Sequence, residues 1–282
     1  MNDRLAVQHS AVAAFRALHA SGCFVLPNPW DVGTAVFLHQ LGFKALATTS
    51  AGFAFSRGLP DDVAAVSRDV MLDHVRDIAA ATPLPVNADF QTGYAIEPDE
   101  VAANVALCVA TGAAGLSIED ATGDPATLLF EQGLAVERIR AARRAIDATG
   151  VPVVLTARCE AWLVGYPDPF RTALERLVAF AVAGADCLYA PGVRSLDEIA
   201  ALVEAVAPKP VNVLVSSPGP GLTVSRLAAL GVRRISVGGA LARVAWGAFL
   251  RAAREIAGTG SFDGLAGAAT FSELNDVFRK RG

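Results

Sequence analysis

The stretch Pro85-Val-Asn-Ala-Asp-Phe-Gln-Thr-Gly-Tyr94 decides the fold. Its apolar, β-type opening ends abruptly at a carboxylate, Asp89, and the chain then enters a turn that Gly93 makes possible. A strand that stops at an acid is how α/β enzymes present chemistry. The carboxylate stands at the strand's C-terminal end, where the loop that follows is free to vary. Two later segments end the same way, Gly115-Leu-Ser-Ile-Glu-Asp120 and Val153-Val-Leu-Thr-Ala-Arg-Cys-Glu160. The rest of the chain reads as scaffold that brings these three ends together.

Working outward, a first amphipathic helix (about Val7 to Ala20) is followed by alternating strand-like and helix-like segments. The strands are expected at Phe24–Asn28, Ala45–Ser50, Pro85–Asp89, Leu116–Glu119, Val153–Arg158, Cys187–Pro191, Val211–Val215 and Ile235–Gly238. Helical patterns lie between them, several ending in a glycine just before the next strand, the usual left-handed helix stop. Eight βα units with apolar strands mean a parallel sheet covered on both faces, and eight is the number that closes a barrel. The expected fold is therefore α/β, a (β/α)8 TIM barrel with an added N-terminal helix; an open doubly wound sheet is the alternative. Residues 1–258 would form the catalytic barrel and residues 259–282 a C-terminal helical extension. The last amphipathic helix, Phe271–Lys280, has no place in a monomeric barrel, so a neighbouring subunit is its expected dock. Two loops are longer than a barrel requires and are candidate lids: Ala51–Ser67, which carries Asp61, and Ala121–Leu134.

Composition narrows the partners. The chain of 282 residues is 53% apolar and 18% charged, with a net charge of −4, so it can fill a large core. It has no basic stripe, which argues against nucleic acid. Four scattered cysteines without paired spacing, no signal-peptide pattern and no apolar run of membrane-spanning length point to a cytoplasmic protein with reduced thiols.

Elimination narrows the chemistry. All four histidines (His9, His19, His39, His74) fall on helices early in the chain and read as helix-surface residues. Lys44 and Lys209 precede strands, and Lys280 is in the tail, so no lysine is placed for a Schiff base. No G-x-S-x-G elbow, no G-x-G-x-x-G after a strand and no zinc spacing is present. Oxygen-ligand chemistry remains: Asp89, Glu119 and Asp120, with water, suit Mg²⁺ or Mn²⁺. Strand alternation puts Thr156, Arg158 and Glu160 on one side, and turns Glu119 and Asp120 opposite ways. An arginine at a strand end beside a carboxylate-held metal is a fork for a substrate carboxylate. A structural salt bridge between Arg158 and Glu119 is the plainer alternative, and Asn87 reads as a core amide bonded to backbone. Ser216–Gly221 and Ser236-Val-Gly-Gly239 follow the seventh and eighth strands, where barrels often bind phosphate.

At these residues the sequence resembles the isocitrate lyase/phosphoenolpyruvate mutase superfamily over most of its length. Asp89-Phe-Gln-Thr-Gly-Tyr94 is similar to the family's D-x-D-T-G-Y metal loop. Gly115–Asp120 is similar to its strand ending in Glu-Asp, and Thr156-Ala-Arg-Cys-Glu-Ala161 to its A-R-x-E-A motif. Gly42-Phe-Lys-Ala-Leu-Ala-Thr-Thr-Ser50 resembles its G-F-K strand. The resemblance implies a barrel whose extra helix is swapped between subunits, a homo-oligomer (a tetramer built as a dimer of swapped dimers), and Mg²⁺ or Mn²⁺. It implies a lyase or decarboxylase that cleaves a C–C bond in a small 2-oxo or 2-hydroxy acid through an enolate of pyruvate. Asp89, Glu119 and Gln91 would hold the metal, Thr49, Ser50 and Arg158 the substrate, and Arg158, Glu119 and Asp61 would be catalytic. P–C bond mutase or hydrolase chemistry and a non-catalytic carboxylate-binding barrel are the alternatives. Gln91 stands where the family's second metal-loop Asp belongs. The lyases' K-K-C-G-H loop is replaced by Ala121-Thr-Gly-Asp-Pro-Ala-Thr127, which argues against isocitrate or methylisocitrate cleavage. The mutase's Lys and Asn in that loop and the His ending its sixth strand are missing too; Tyr189-Ala-Pro191 occupies the last position.

Overall fold

A computed structural model describes residues 2–63, 65–219 and 221–279. In chain order the elements are α1 (Asn2–Ala20), β1 (Phe24–Leu26), α2 (Val32–Gln40), β2 (Leu46–Ala47), α3 (Ser50–Ser56) and α4 (Arg68–Ala80). β3 (Val86–Asp89), α5 (Pro98–Val109), β4 (Gly115–Glu119), β5 (Ala121–Asp124), β6 (Thr127–Leu129) and α6 (Gln132–Thr149) follow. The second half holds β7 (Val154–Arg158), α7 (Pro169–Val182), β8 (Cys187–Tyr189), α8 (Leu196–Val206), β9 (Val211–Leu214) and α9 (Val224–Ala229). β10 (Arg234–Ser236), α10 (Ala240–Thr259), a 3₁₀ turn at Asp263–Leu265 and α11 (Phe271–Arg279) complete the chain.

Eight of the ten strands form one parallel sheet in the order β1-β10-β9-β8-β7-β4-β3-β2. The amide of Ala47 donates to the carbonyl of Pro27 at 3.0 Å, bringing the two edge strands together and nearly closing a (β/α)8 barrel. The five glycines expected to stop helices, Gly42, Gly112, Gly150, Gly184 and Gly231, all have positive φ. Side-chain alternation divides each strand between two environments. Leu116 and Ile118, Leu155 and Ala157, and Val211 and Val213 pack in the main apolar cluster. Between them Ser117, Thr156 and Asn212 are buried polar residues. The strands expected to be apolar throughout thus enclose a polar interior. One register row sets Glu119, Arg158, Tyr189, Asn212 and Arg234 side by side across β4, β7, β8, β9 and β10.

The expected loops hold structure. Ala51–Ser67 begins with α3, because Thr49 takes an extended conformation and its side chain accepts the amide of Gly52, capping a helix that buries Phe53 and Ala54. Ala121–Leu134 contains the antiparallel β5–β6 hairpin, turned where the Asp124 carboxylate accepts the amide of Ala126 at 2.8 Å. Two histidines expected on helix surfaces are buried: His19 bonds the Phe15 carbonyl, and His74 stacks on Phe53 at 3.8 Å. All four cysteines are free thiols. The barrel's last helix, α10, runs just past the expected boundary at residue 258. The tail helix lies, within the single chain, against α2, where Gln40 Nε2 donates to the Val277 carbonyl at 2.6 Å. Lys280, the expected end of that helix, falls outside the described residues. Among the described residues no helix is long and apolar enough to cross a membrane.

Candidate active site

The site grows from the end of β3. The amide of Asp89 donates to Thr48 Oγ1 at 2.9 Å, anchoring β3 to the residue beyond β2. Asp89 Oδ2 accepts from both the amide and the hydroxyl of Ser50, each at 2.9 Å. Ser50 is the first residue of α3, and a first-turn amide has no partner within its own helix. Thr49 therefore caps α3, and the donor that the cap leaves over goes to Asp89. Gly52 is fixed by space: a Cβ there would stand 2.6 Å from Thr49 Cγ2 and 3.0 Å from Trp30 Cβ.

Arg158, at the end of β7, gathers the acids. Its Nη1 reaches Asp89 Oδ1 at 2.7 Å, its Nη2 lies 3.2 Å from Glu119 Oε2, and its Nε donates to Glu160 Oε1 at 2.8 Å. The Tyr189 ring lies 5.0 Å from its guanidinium carbon. These contacts hold the fork firmly charged, far above the ordinary arginine value against the opposing pull of burial. They include the Arg158–Glu119 pair that the plainer sequence reading anticipates. Burial pushes the Glu119 carboxyl up to about 8, although Arg158 pulls the other way. Burial likewise raises Glu160 and Asp61, and Asp89 raises Asp61 further. Asp120 turns away as alternation requires: Oδ1 accepts the Glu160 amide at 2.8 Å and Oδ2 accepts Arg176 Nη1 at 2.9 Å.

A cavity of roughly 160 Å³ opens beside Arg158. Thr49, Ser50, Asp61, Asp89 and Arg158 line it, so the structure brings these five sequence-predicted residues together. Glu119 is not among the residues lining this cavity; with Arg138 and Arg158 it borders a second recess. Gln91 is not among the lining residues; it adopts a left-handed φ of 47°, its backbone carbonyl accepts the Glu119 amide, and its buried Oε1 finds no partner among the described residues. Asn87 bonds backbone through Nδ2, as expected of a core amide, but it also borders the cavity. Asn28, Asn212 and Arg234 line the cavity although no motif in the sequence marks them as site residues, and Ser236, marked only as part of a phosphate-type loop, lines it too. Their signal was a polar side chain inside an otherwise apolar strand, as in Val211-Asn-Val-Leu214. Asn28 fastens the rim, its Oδ1 accepting the amides of Val237 and Gly238 and its Nδ2 donating to the Thr48 carbonyl.

Four carboxylates, Asp61, Asp89, Glu119 and Glu160, share the field of one guanidinium. Surplus negative charge and a donor set made only of oxygen fit a hard divalent cation. Among the described residues no three acids converge as a ready-made metal cluster, so the fit is to a cation that keeps much of its water.

The sequence profile of the phosphoenolpyruvate phosphomutase family matches residues 15–257. The chain is 31% identical over 235 residues to an oxaloacetate decarboxylase of Chromohalobacter salexigens, covering 80% of this chain and 78% of that one. A crystal structure from Burkholderia cenocepacia J2315, 50% identical, superposes with a TM-score of 0.91 and covers 96% of both chains. An oxaloacetate acetylhydrolase in complex with the product oxalate, 29% identical, superposes with a TM-score of 0.84 over 95% of this chain and 94% of that one.

Proposed function

From the premise that the chain belongs to the phosphoenolpyruvate phosphomutase family, we propose that it is a Mg²⁺-dependent lyase or decarboxylase. Its substrate would be a small 2-oxo or 2-hydroxy acid, in which it breaks a C–C bond to leave a pyruvate-type enolate. The observation that carries this reading is Arg158 at the cavity wall, ringed by carboxylates from three strand ends. A guanidinium has five N–H groups. Asp89 and Glu160 accept one each and Glu119 lies at ion-pair distance, which leaves donors for a substrate carboxylate. Thr49 and Ser50 border the position of the 2-oxo group. Asp89 and Glu119 would hold the cation, largely through water, and the cation would polarise that oxo group. As the C–C bond of a 2-oxo acid breaks, the distal carboxylate would leave as CO2 and the bond's electron pair pass into the enolate, whose developing charge the guanidinium faces. Asp61, whose proton affinity burial raises, stands at the cavity to deliver the proton that converts enolate to keto acid.

Product release from oxaloacetate, 2-methylmalate-like acids and phosphonopyruvate tests the reading. C–C cleavage of an organic acid, dependent on Mg²⁺ and abolished by Arg158→Ala, is expected. Turnover of phosphonopyruvate alone would move the chemistry to the P–C bond. Ligand-induced thermal stabilisation without turnover of any of these acids would leave a carboxylate-binding barrel.

A further inference from the structure

A chain of hydrogen bonds runs along the cavity wall beside Arg158 and ends at a tyrosine. Of the three tyrosines, Tyr189 alone lines the cavity among the described residues, and it is 7% exposed. No histidine, lysine or cysteine among the described residues lines it, so hydroxyls and amides are its neutral donors. Register sets Tyr189, Asn212 and Arg234 abreast on β8, β9 and β10, and alternation gives Ser236 the same side of β10 as Arg234. Arg234 Nε donates to Asn212 Oδ1 at 2.9 Å, and Asn212 Nδ2 donates to Ser236 Oγ at 2.9 Å. Ser236 in turn bonds the Tyr189 phenol.

Valence fixes the direction of this chain. A guanidinium can only donate, so the Asn212 oxygen faces Arg234 and the nitrogen faces Ser236. Ser236 Oγ accepts from that nitrogen and passes its own hydrogen to the phenol oxygen. The phenol's hydrogen has no taker within the chain and is free for the cavity. Charge reinforces the same polarity, because hydrogen bonds that begin at a cation polarise one another along their length. At the other end the Arg158 guanidinium carbon lies 5.0 Å from the centre of the Tyr189 ring. Burial pushes the phenol up to about 12, although Arg158 and the bond from Ser236 pull it down. At neutral pH it therefore keeps its proton and is a donor. Tyr94 offers the contrast: its buried hydroxyl has no partner among the described residues and does not line this cavity.

Building on the enolate reading above, we propose that Tyr189 donates a hydrogen bond to the substrate's developing enolate, its hydroxyl aimed by Ser236, Asn212 and Arg234. The proton stays on the phenol, and the bond strengthens as charge gathers on the substrate oxygen. Calorimetry in Mg²⁺ tests this without any need for turnover. Oxalate is a planar dianion that mimics the enolate of pyruvate, whereas pyruvate itself carries one carboxylate and a neutral oxo group. Tyr189→Phe keeps the ring beside Arg158 and removes only the donor. It should weaken oxalate by about tenfold or more, the scale of a hydrogen bond to a charged group, and leave pyruvate within about twofold. Ser236→Ala should weaken oxalate by about threefold with the same sparing of pyruvate, and should cost nothing further when added to Tyr189→Phe. Unchanged oxalate affinity in Tyr189→Phe, or an equal loss for the two acids, would overturn the proposal. Should that variant fail to fold, unchanged oxalate affinity in Ser236→Ala would overturn it instead, and so would losses that add in the double variant. Each of these outcomes leaves wild-type binding of both acids, and the carboxylate-binding reading, in place. A wild type that binds neither acid would remove that reading and this inference with it.

Discussion

Arg158 holds carboxylates from β3, from β4 and from Glu160, two residues past β7, on one planar fork, and that geometry separates it from any other cation. A lysine offers a point charge with three rotatable donors and cannot meet these acids and a substrate together. Arg158→Lys should lower kcat/KM by roughly two orders of magnitude or more, read by steady-state kinetics on the acid that wild type cleaves. An unaffected kcat/KM would show that the fork only braces the strand ends. Arg158 was legible because a charge closing an apolar run has nowhere to go but the barrel mouth. Arg234 was not: it follows Arg233 and opens its strand, where a cation normally reads as surface. Arg233 does stay outside, on the Gly22 carbonyl, and alternation turns its neighbour inward.

At the scale of elements, the loop after β3 is held by a residue from α6. Arg138, 1% exposed, donates to the carbonyls of Thr92, Ala95 and Ile96 and lies 3.9 Å over the Phe130 ring. Arg138→Met should strand these carbonyls and cost about 3 kcal/mol or more, measured by denaturant unfolding. Because the same loop follows Asp89, cation affinity should fall with it. A loss of stability with cation affinity intact would confine Arg138 to scaffolding. Nothing in the helical period of α6 distinguishes Arg138 from its exposed neighbours Glu137 and Arg140; only the packing of α6 on α5 turns it inward. The α3 helix escaped sequence reading for a related reason. Its Ser50-Ala-Gly-Phe-Ala-Phe-Ser56 run is short and contains a glycine, so the Thr49 cap and the burial of Phe53 define it rather than helix propensity. The acid-ended strands and the glycine stops, by contrast, are local signals and could be read directly.

For the whole molecule, two buried histidines each oppose folding in acid. Burial lowers His19 to about 3 and His74 to about 4, both below their ordinary 6.5. The unfolded chain binds these protons first, so the histidines' contribution to stability is complete above about pH 6.5 and falls as pH drops from there toward 3–4. At pH 5 each histidine should cost about 2 kcal/mol. His74→Leu should flatten that loss by about this amount between pH 6.5 and 5 in denaturant titrations; an unchanged slope would contradict it. The C-terminal surface remains apolar. Val244 is 69% and Phe249 58% exposed on α10, Phe271 is 89% exposed on α11, and Phe55, Leu59, Trp246 and Leu250 line an open groove of roughly 530 Å³. We expect this surface to be covered by another copy of the chain. Light scattering should give an oligomer that the paired change Trp246→Glu and Phe249→Glu shifts to monomer; a monomeric wild type would contradict it. The central claim, that Asp89 belongs to a cation-dependent centre, is tested most directly by Asp89→Asn. Mg²⁺ affinity and melting temperature should be measured on that protein and on wild type. The amide preserves volume and relieves the surplus of acids, so the cation-free melting temperature should stay within about 3 °C, while Mg²⁺ affinity should fall by about tenfold or more. Unchanged Mg²⁺ affinity with a lowered melting temperature would show that Asp89 only ties Ser50 and Arg158 together.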